Sequence, residues 1–294
     1  MRRLFLVERV NKRQTICIRQ VACLALTFRL RETMDMISKE VMAMWKIIPL
    51  DLGLIEVARS SNLMQANARA GELVQNVSIA WLLENRSDGR IILIDTGGVE
   101  DDEWSRKYHV PSSRQREDQY LIPALAKHGV DPERIETIIL THLHWDHAYG
   151  VSKIPNAKVY VQMKEIVHAV SRHRIDAKTY ETNIPGVMPF FLEFYDRMAF
   201  IDGDCEIVEG LTTLLLPGHT PGSQGVLVDS GDARYVITGD LINCLENWTQ
   251  RIPCGLHTDV MACYASFDKL EAIEKIGAVV LPSHDNTAID LFCK

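Results

Sequence analysis

The stretch Thr141-His142-Leu143-His144-Trp145-Asp146-His147 sets three histidines and one aspartate within six positions, directly after the apolar run Ile138-Ile139-Leu140. Imidazole and carboxylate are the donors that borderline divalent metals take. On a continuous helix the three histidines would point to different faces. On a strand end, His142 and His144 are two apart and point the same way. Asp146 and His147, past the turn, can aim at a second point. The spacing therefore suggests two neighbouring metal sites rather than one.

This H-x-H-x-D-H pattern after a buried strand resembles the metallo-β-lactamase superfamily. That family's pattern continues with a histidine in a Gly-His-Thr-Pro-Gly type turn, an aspartate after an apolar strand, and a late histidine. Here His219 lies in Leu216-Pro217-Gly218-His219-Thr220-Pro221-Gly222, Asp240 ends Tyr235-Val236-Ile237-Thr238-Gly239-Asp240, and His284 lies in Leu281-Pro282-Ser283-His284-Asp285. Each motif alone is weak; the four in this order are specific. The resemblance implies that His142, His144 and His219 hold one metal, that Asp146, His147 and His284 hold the other, and that Asp240 bridges them. Asp95, in Leu93-Ile94-Asp95-Thr96-Gly97, matches a carboxylate that orients a histidine ligand in the family; taken alone it would read as an Asx turn.

The chemistry follows from those donors. Three neutral imidazoles leave an open position for water. Two cations sharing that water lower its pKa until hydroxide exists at neutral pH, and they polarise the oxygen of the group under attack. Asp146 is placed to pass the proton to the leaving oxygen. A structural zinc site would close with four ligands and favour cysteine. The expected cofactor is a pair of divalent ions, zinc first, with iron, manganese and cobalt suited to the same donors.

Within the superfamily, the Ile-Leu-Thr-His-Leu-His-Trp-Asp-His block, the Gly-His-Thr-Pro-Gly turn and the short ending after His284 look most like the N-acyl homoserine lactone lactonases. The implied reaction is hydrolytic opening of a cyclic ester, a quorum-quenching activity on a small-molecule lactone. Two positions depart from that group. Asn243 stands three residues after Asp240, where a tyrosine commonly contacts the lactone carbonyl, and Ser223 stands where the turn often has a second histidine. An amide at Asn243 donates more weakly and from a shorter reach, so a different lactone, or another cyclic ester or amide, is compatible with the site. The alternatives are a thioester hydrolase of the glyoxalase II type, for which no basic cluster for glutathione or coenzyme A stands near His284, and a sulfur dioxygenase with one iron.

The elements that must carry these residues are legible as apolar runs. Trp45–Leu50, Val77–Leu83, Arg90–Ile94, Ile135–Leu140 and Ala157–Val161 read as strands, the second and third joined through Arg86-Ser87-Asp88-Gly89 as a hairpin. Glu206–Gly210, Leu211–Leu216, Gln224–Val228, Ala233–Ile237 and Ala278–Leu281 read as a second set. Helices are expected from about Arg116 to Lys127, with Pro123 delaying or kinking the start, over Lys164–Arg172, and from a cap at Thr258 or Asp259 to about Ile276 with Val260, Tyr264, Phe267, Leu270 and Ile273 on one face. Residues 53–75 read as a stretch lining the pocket, 99–115 as a loop beside it, and 173–200 as an insertion over it whose aromatics either cover the site or pack beneath a loop. His109 and His128 lack partners at ligand spacing and read as surface or satisfied histidines. The fold implied by the family is an αββα sandwich, two mixed sheets face to face with helices outside.

A net charge of −7 argues against a nucleic-acid surface. No run reaches the ~20 apolar residues of a membrane span. Seven scattered cysteines without a C-x-x-C pair point to a reduced, cytoplasmic protein; Cys244, four after Asp240, reads as packed and inert. Residues 1–43 read as an extension outside the core, with translation starting at one of Met34, Met36, Met42 or Met44, and residues 44–294 as one hydrolase domain. Oligomeric state has no signature in the chain.

Overall fold

The computed structural model describes residues 45–292 other than Ala66, Asp101, Pro111 and Ser112. The expected extension at 1–43, its alternative starts, and Cys17, Cys23 and Cys293 lie outside the described residues.

Alternation along the strands builds two layers. In β2 (Leu73–Asn85) the residues Val77, Ile79, Trp81 and Leu83 face one core while Ala80 and Leu82 face another. Both faces are apolar, so the strand must be covered on both sides. The same division holds in β3 (Ile91–Ile94), where Ile92 and Ile94 face inward and Ile91 and Leu93 outward. β2 is flanked by the long β1 (Trp45–Ala58), antiparallel from Trp45↔Asn85 to Ala58↔Leu73 with a bulge between Asp51 and Leu54. With β4 (Ser113–Arg114), β5 (Thr137–Ile139), β6 (Lys158–Gln162) and β7 (Met198–Ile201), these make a seven-stranded sheet ordered β4-β1-β2-β3-β5-β6-β7. β3, β5, β6 and β7 run parallel.

The second sheet has five strands, β8 (Cys205–Val208), β9 (Leu211–Leu215), β10 (Gln224–Asp229), β11 (Arg234–Ile237) and β12 (Ala278–Leu281), ordered β12-β11-β10-β9-β8. Its inward residues Leu211, Val226, Val228, Ile237 and Leu281 meet the inward face of the first sheet. The outward residues Leu214, Val236, Ala278 and Val280 pack against the 15-residue helix over Val260–Glu274. The sandwich expected from the family pattern is therefore present, with two mixed sheets and outer helices.

Numbered in chain order, the helices are α1 (Arg59–Asn62), α2 (Asp102–Tyr108), α3 (Leu121–Lys127), α4 (Trp145–Ala148), α5 (Met163–Val170), α6 (Leu245–Gln250), α7 (Val260–Glu274) and α8 (Asn286–Asp290). Several depart from the sequence reading. Residues 99–115 are not only loop, since α2 and β4 lie there. α3 starts late, with Pro123 in its first turn where a missing N–H costs nothing. Asp259 does cap α7, accepting from the Met261 and Ala262 amides at 2.9 and 3.0 Å. Its buried face is Cys263, Ser266, Phe267 and Leu270, and Tyr264 is exposed. β7 was not legible inside the 173–200 segment; its four residues are all half-buried and show no alternation. The aromatics Phe190, Phe191 and Phe194 of that segment are core, whereas Ile175, Asp176, Lys178 and Thr179 line the pocket, so it does both jobs.

Candidate metal centre

The strand ends converge because the chain locks them there. The β3 end holds the first loop from one side: Asp95 accepts from the Thr141 amide at 2.7 Å and from Thr141 Oγ1 at 2.8 Å, and the Thr96 amide donates to His147 O at 2.7 Å. Asp95 adopts φ +57° to do so, a conformation that aspartate tolerates better than most residues. Gly150 passes so close to Thr96 that a Cβ would lie 2.5 Å from its carbonyl oxygen. The second sheet is tied on by Gln224, whose amide donates to Thr141 O at 2.9 Å and whose Nε2 donates to Leu140 O at 2.7 Å. On a third side the buried Glu165 carboxylate accepts from the Leu143 amide, from Tyr180 O–H, and from Thr220 Oγ1 at 2.5 Å. One side chain thus joins the two loops that carry His144 and His219.

Two donor sets result, His142-His144-His219 and Asp146-His147-Asp240-His284, with the ligand atoms of each within 4.8 Å of one another. In the first, His219 Nε2 lies 3.2 Å from His142 Nε2 and 3.0 Å from His144 Nδ1. Ligands on one tetrahedral zinc, at 2.0–2.1 Å each, stand about 3.3 Å apart, so these nitrogens fit an ion between them. In the second set Asp240 Oδ1 lies 3.0 Å from both His147 Nε2 and His284 Nε2. Asp146 Oδ2 lies 3.8 and 3.7 Å from the same two nitrogens. The other Asp240 oxygen faces the first set, 3.7 Å from His219 Nε2. All seven residues proposed from sequence are thus brought together, with Asp240 between the sets.

The outer nitrogens of four of the rings are anchored. His147 Nδ1 pairs with Asp95 at 2.8 Å, His219 Nδ1 with Leu256 O at 2.7 Å, His284 Nδ1 with Val77 O at 2.9 Å and His142 Nδ1 with Thr141 Oγ1 at 3.1 Å. Such partners fix tautomer and ring orientation at metal sites. His147 Nε2 is buried and makes no well-aligned hydrogen bond even to Asp240 Oδ1 3.0 Å away, as a metal ligand would. Burial, with His147 and His219 nearby, holds His142 and His144 well below the usual histidine range and so in the lone-pair form. Burial opposes charge on His147 and His284 too and is the largest single influence, but the carboxylates of Asp240 and Asp146, with Asp95 beside His147, together outweigh it and raise both. Against its own burial, His284 and His147 hold Asp240 well below the carboxylate range.

Five of the seven, His144, Asp146, His219, Asp240 and His284, line a pocket of about 290 Å³. Asn243 reaches its wall, with Oδ1 buried and unpartnered. Residues 53–75 contribute as expected through Ile55, Val57, Ser61 and Asn62. His109 is no surface residue: it is buried, paired to Glu181, and on the pocket wall. His128 is exposed. Cys244 is half-buried at the start of α6, and burial pushes its thiol up. The cysteine near the site is Cys254, with Sγ 3.8 Å from His219 Nδ1, on a loop no motif marked. A buried amide pair, Asn62 and Asn76, each donating to the other at 2.7 and 2.9 Å, was also unmarked, since single asparagines carry no pattern.

Comparison with known proteins agrees with this geometry. The family model for the metallo-beta-lactamase superfamily matches residues 73–284. A protein named N-acyl homoserine lactonase AttM, from Azorhizobium caulinodans, is 30% identical over 191 residues, 61% of this chain and 69% of that one. An N-acyl homoserine lactonase from a Bacillus species is 28% identical over 225 residues, 73% of this chain and 84% of that one. A solved structure described as a quorum-quenching N-acyl homoserine lactone lactonase superposes with a TM-score of 0.67 at 25% identity, covering 83% of this chain and 93% of that one.

Proposed function

The chain belongs to the metallo-β-lactamase superfamily, and from that premise we propose that it is a dinuclear-metal hydrolase that opens cyclic esters, with N-acyl homoserine lactones as the first substrates to test. The observation that carries this reading is the pair of convergent donor sets sharing Asp240 on the wall of one pocket. The names of its relatives favour a lactone as the ester.

In this reading His142, His144 and His219 hold one ion, Asp146, His147 and His284 the other, and Asp240 both. Bound there, two divalent ions would activate water at neutral pH and polarise the substrate carbonyl. The chain's own residues do the rest. Burial keeps His142 and His144 neutral, which is the state that binds metal. Asp146 is the ligand-set carboxylate with the most exposed side chain, 16% against 10% for Asp240, and it borders the pocket. It therefore hands the proton to the leaving oxygen. Asn243 offers its amide to the substrate from the wall beside His284, whose backbone N–H donates to Asn243 O at 2.9 Å. Ile55, Val57, Val110 and Leu256 give the substrate's apolar part an apolar wall.

The test pairs metal content of purified protein with an assay for opening of N-acyl homoserine lactones. Two ions per chain with ring opening is the expected result. Two ions with hydrolysis of thioesters alone would move the substrate class, and one iron without hydrolysis would overturn the reading.

A further inference from the structure

Lys178 stands on the wall of the pocket that holds the metal sets, and among the described residues it is the one lysine or arginine there. It is exposed, within reach of a molecule that enters. The backbone beneath it is fixed against the metal loop. The Thr179 carbonyl accepts from the amide of Trp145, the residue between His144 and Asp146, at 3.1 Å. The Tyr180 ring meets that of His144 edge-on at 4.7 Å. The Glu181 amide donates to Lys178 O at 3.1 Å and closes a turn. The far end of the side chain is held too, because Lys178 Nζ crosses to the His109 carbonyl and donates at 2.7 Å. His109 in turn stacks on Trp145 at 4.4 Å and 16°. Both ends of Lys178 therefore rest on segments that lean on one tryptophan of the metal loop.

A lysine of an ordinary solvated face pairs with a neighbouring acid or follows the bulk water. Here the acids nearest in the chain are engaged elsewhere. Asp176 Oδ2 pairs with His168 Nε2 at 2.7 Å. Glu181 Oε1 pairs with Trp104 Nε1 and His109 Nε2, each at 2.7 Å. Among the described residues, Lys178 Nζ has the His109 carbonyl as its partner and no carboxylate. An ammonium carries three N–H groups and no acceptor, so two donors are left for a ligand on this wall. Such a donor takes an oxygen. In the hydrolase reading the ester to be cut belongs to the metal sets, so that oxygen lies on another group of the substrate. Asp176 lines the same wall two residues away, where a second carboxylate would meet like charge. A neutral, strongly polar acceptor fits better.

We propose that Lys178 is a specificity-determining residue whose ammonium takes an amide carbonyl oxygen that the substrate carries outside the bond to be cut. This rests on the hydrolase reading for its substrates but concerns recognition, not cleavage. A substrate with the carbonyl gains a charge-assisted hydrogen bond from a donor already held in place, and an analogue without it gains nothing there.

Binding is measured by calorimetry on the metal-loaded protein with two ring-opened acids. One is N-hexanoyl-homoserine; the other carries a heptyl chain in place of the hexanoylamido arm. Both present the same carboxylate and hydroxyl, and the first alone has the amide. Lys178→Met keeps the length of the side chain and removes its N–H groups. It is expected to weaken the amide probe about 10-fold and to leave the heptyl probe unchanged, which also reports an intact fold. Lys178→Arg keeps a cationic donor and should lose less. No binding of the amide probe by wild type, equal losses for the two probes, or no loss for the amide probe overturns the assignment. Lactone opening is assayed on the same preparations. A selective loss without lactone opening overturns the lactonase reading and leaves Lys178 as a carbonyl anchor; lactone opening without a selective loss does the reverse.

Discussion

At the residue scale, the centre is built from side chains with no slack. His144→Ala or Asp240→Asn should lose metal and turnover together, read by elemental analysis beside the hydrolysis assay; full activity in either variant contradicts the ligand assignment. Asp146→Asn should cost more in kcat than in occupancy of the first set, since it touches none of the three histidines there. Asp95→Asn leaves a weaker partner for His147 and should weaken metal binding about 10- to 100-fold, measured by chelator competition. Away from the ligands, the hydrogen bond from His168 to Asp176 raises the His168 pKa above its ordinary 6.5. A raised histidine contributes stability that is complete below its unfolded value and is lost as pH rises through the folded one. Titration of the His168 ring by NMR should show the raised value, returning toward 6.5 in Asp176→Asn; an unchanged midpoint would remove Asp176 as the cause.

At the element scale, the loop around Cys254 has no periodicity, yet it orients the His219 ring through Leu256 O and His219 Nδ1. It is pressed on α1 at Gly255, where an added Cβ would lie 1.7 Å from the Ser60 carbonyl oxygen. Gly255→Ala must displace backbone, at a cost of roughly 1–3 kcal/mol, and should weaken metal binding with it. Phe267 on α7 is 1% exposed and meets Trp248 edge-on at 6.2 Å. Phe267→Ala should cost about 4 kcal/mol in denaturant unfolding while leaving the metal stoichiometry at two. The contrast separates packing of the second sheet from assembly of the site.

At the scale of the whole molecule, the two sets gather strand ends from both sheets, so an ion held by them would couple folding to metal binding. An ion at 1,000 times its dissociation constant adds about 4 kcal/mol to the native state. For a domain of this size that is about 10 °C in Tm. Chelation should lower Tm by this order and readdition of zinc should restore it; a Tm indifferent to chelator would show that the donors hold no ion.

The chain alone marked the strands with strong alternation, a cap at Thr258 or Asp259, and, through its resemblance to the metallo-β-lactamase superfamily, the seven residues that the fold brings together; each of them lies next to an apolar run whose period is local. The same resemblance pointed to Asp95 as the partner of a histidine, and it pairs with His147 Nδ1 at 2.8 Å. Tertiary structure decided what has no local period. β7 is half-buried throughout, so its sequence shows no two-residue rhythm. Glu165, Glu181 and Asp176 look like solvated charges in sequence, and only folding buries them against Tyr180, Trp104 and His168. His109 had no neighbour at ligand spacing because its partner Glu181 is 72 residues away. Four of the candidate donors share one short loop and so show as a cluster; the groups that line the pocket need only meet in space.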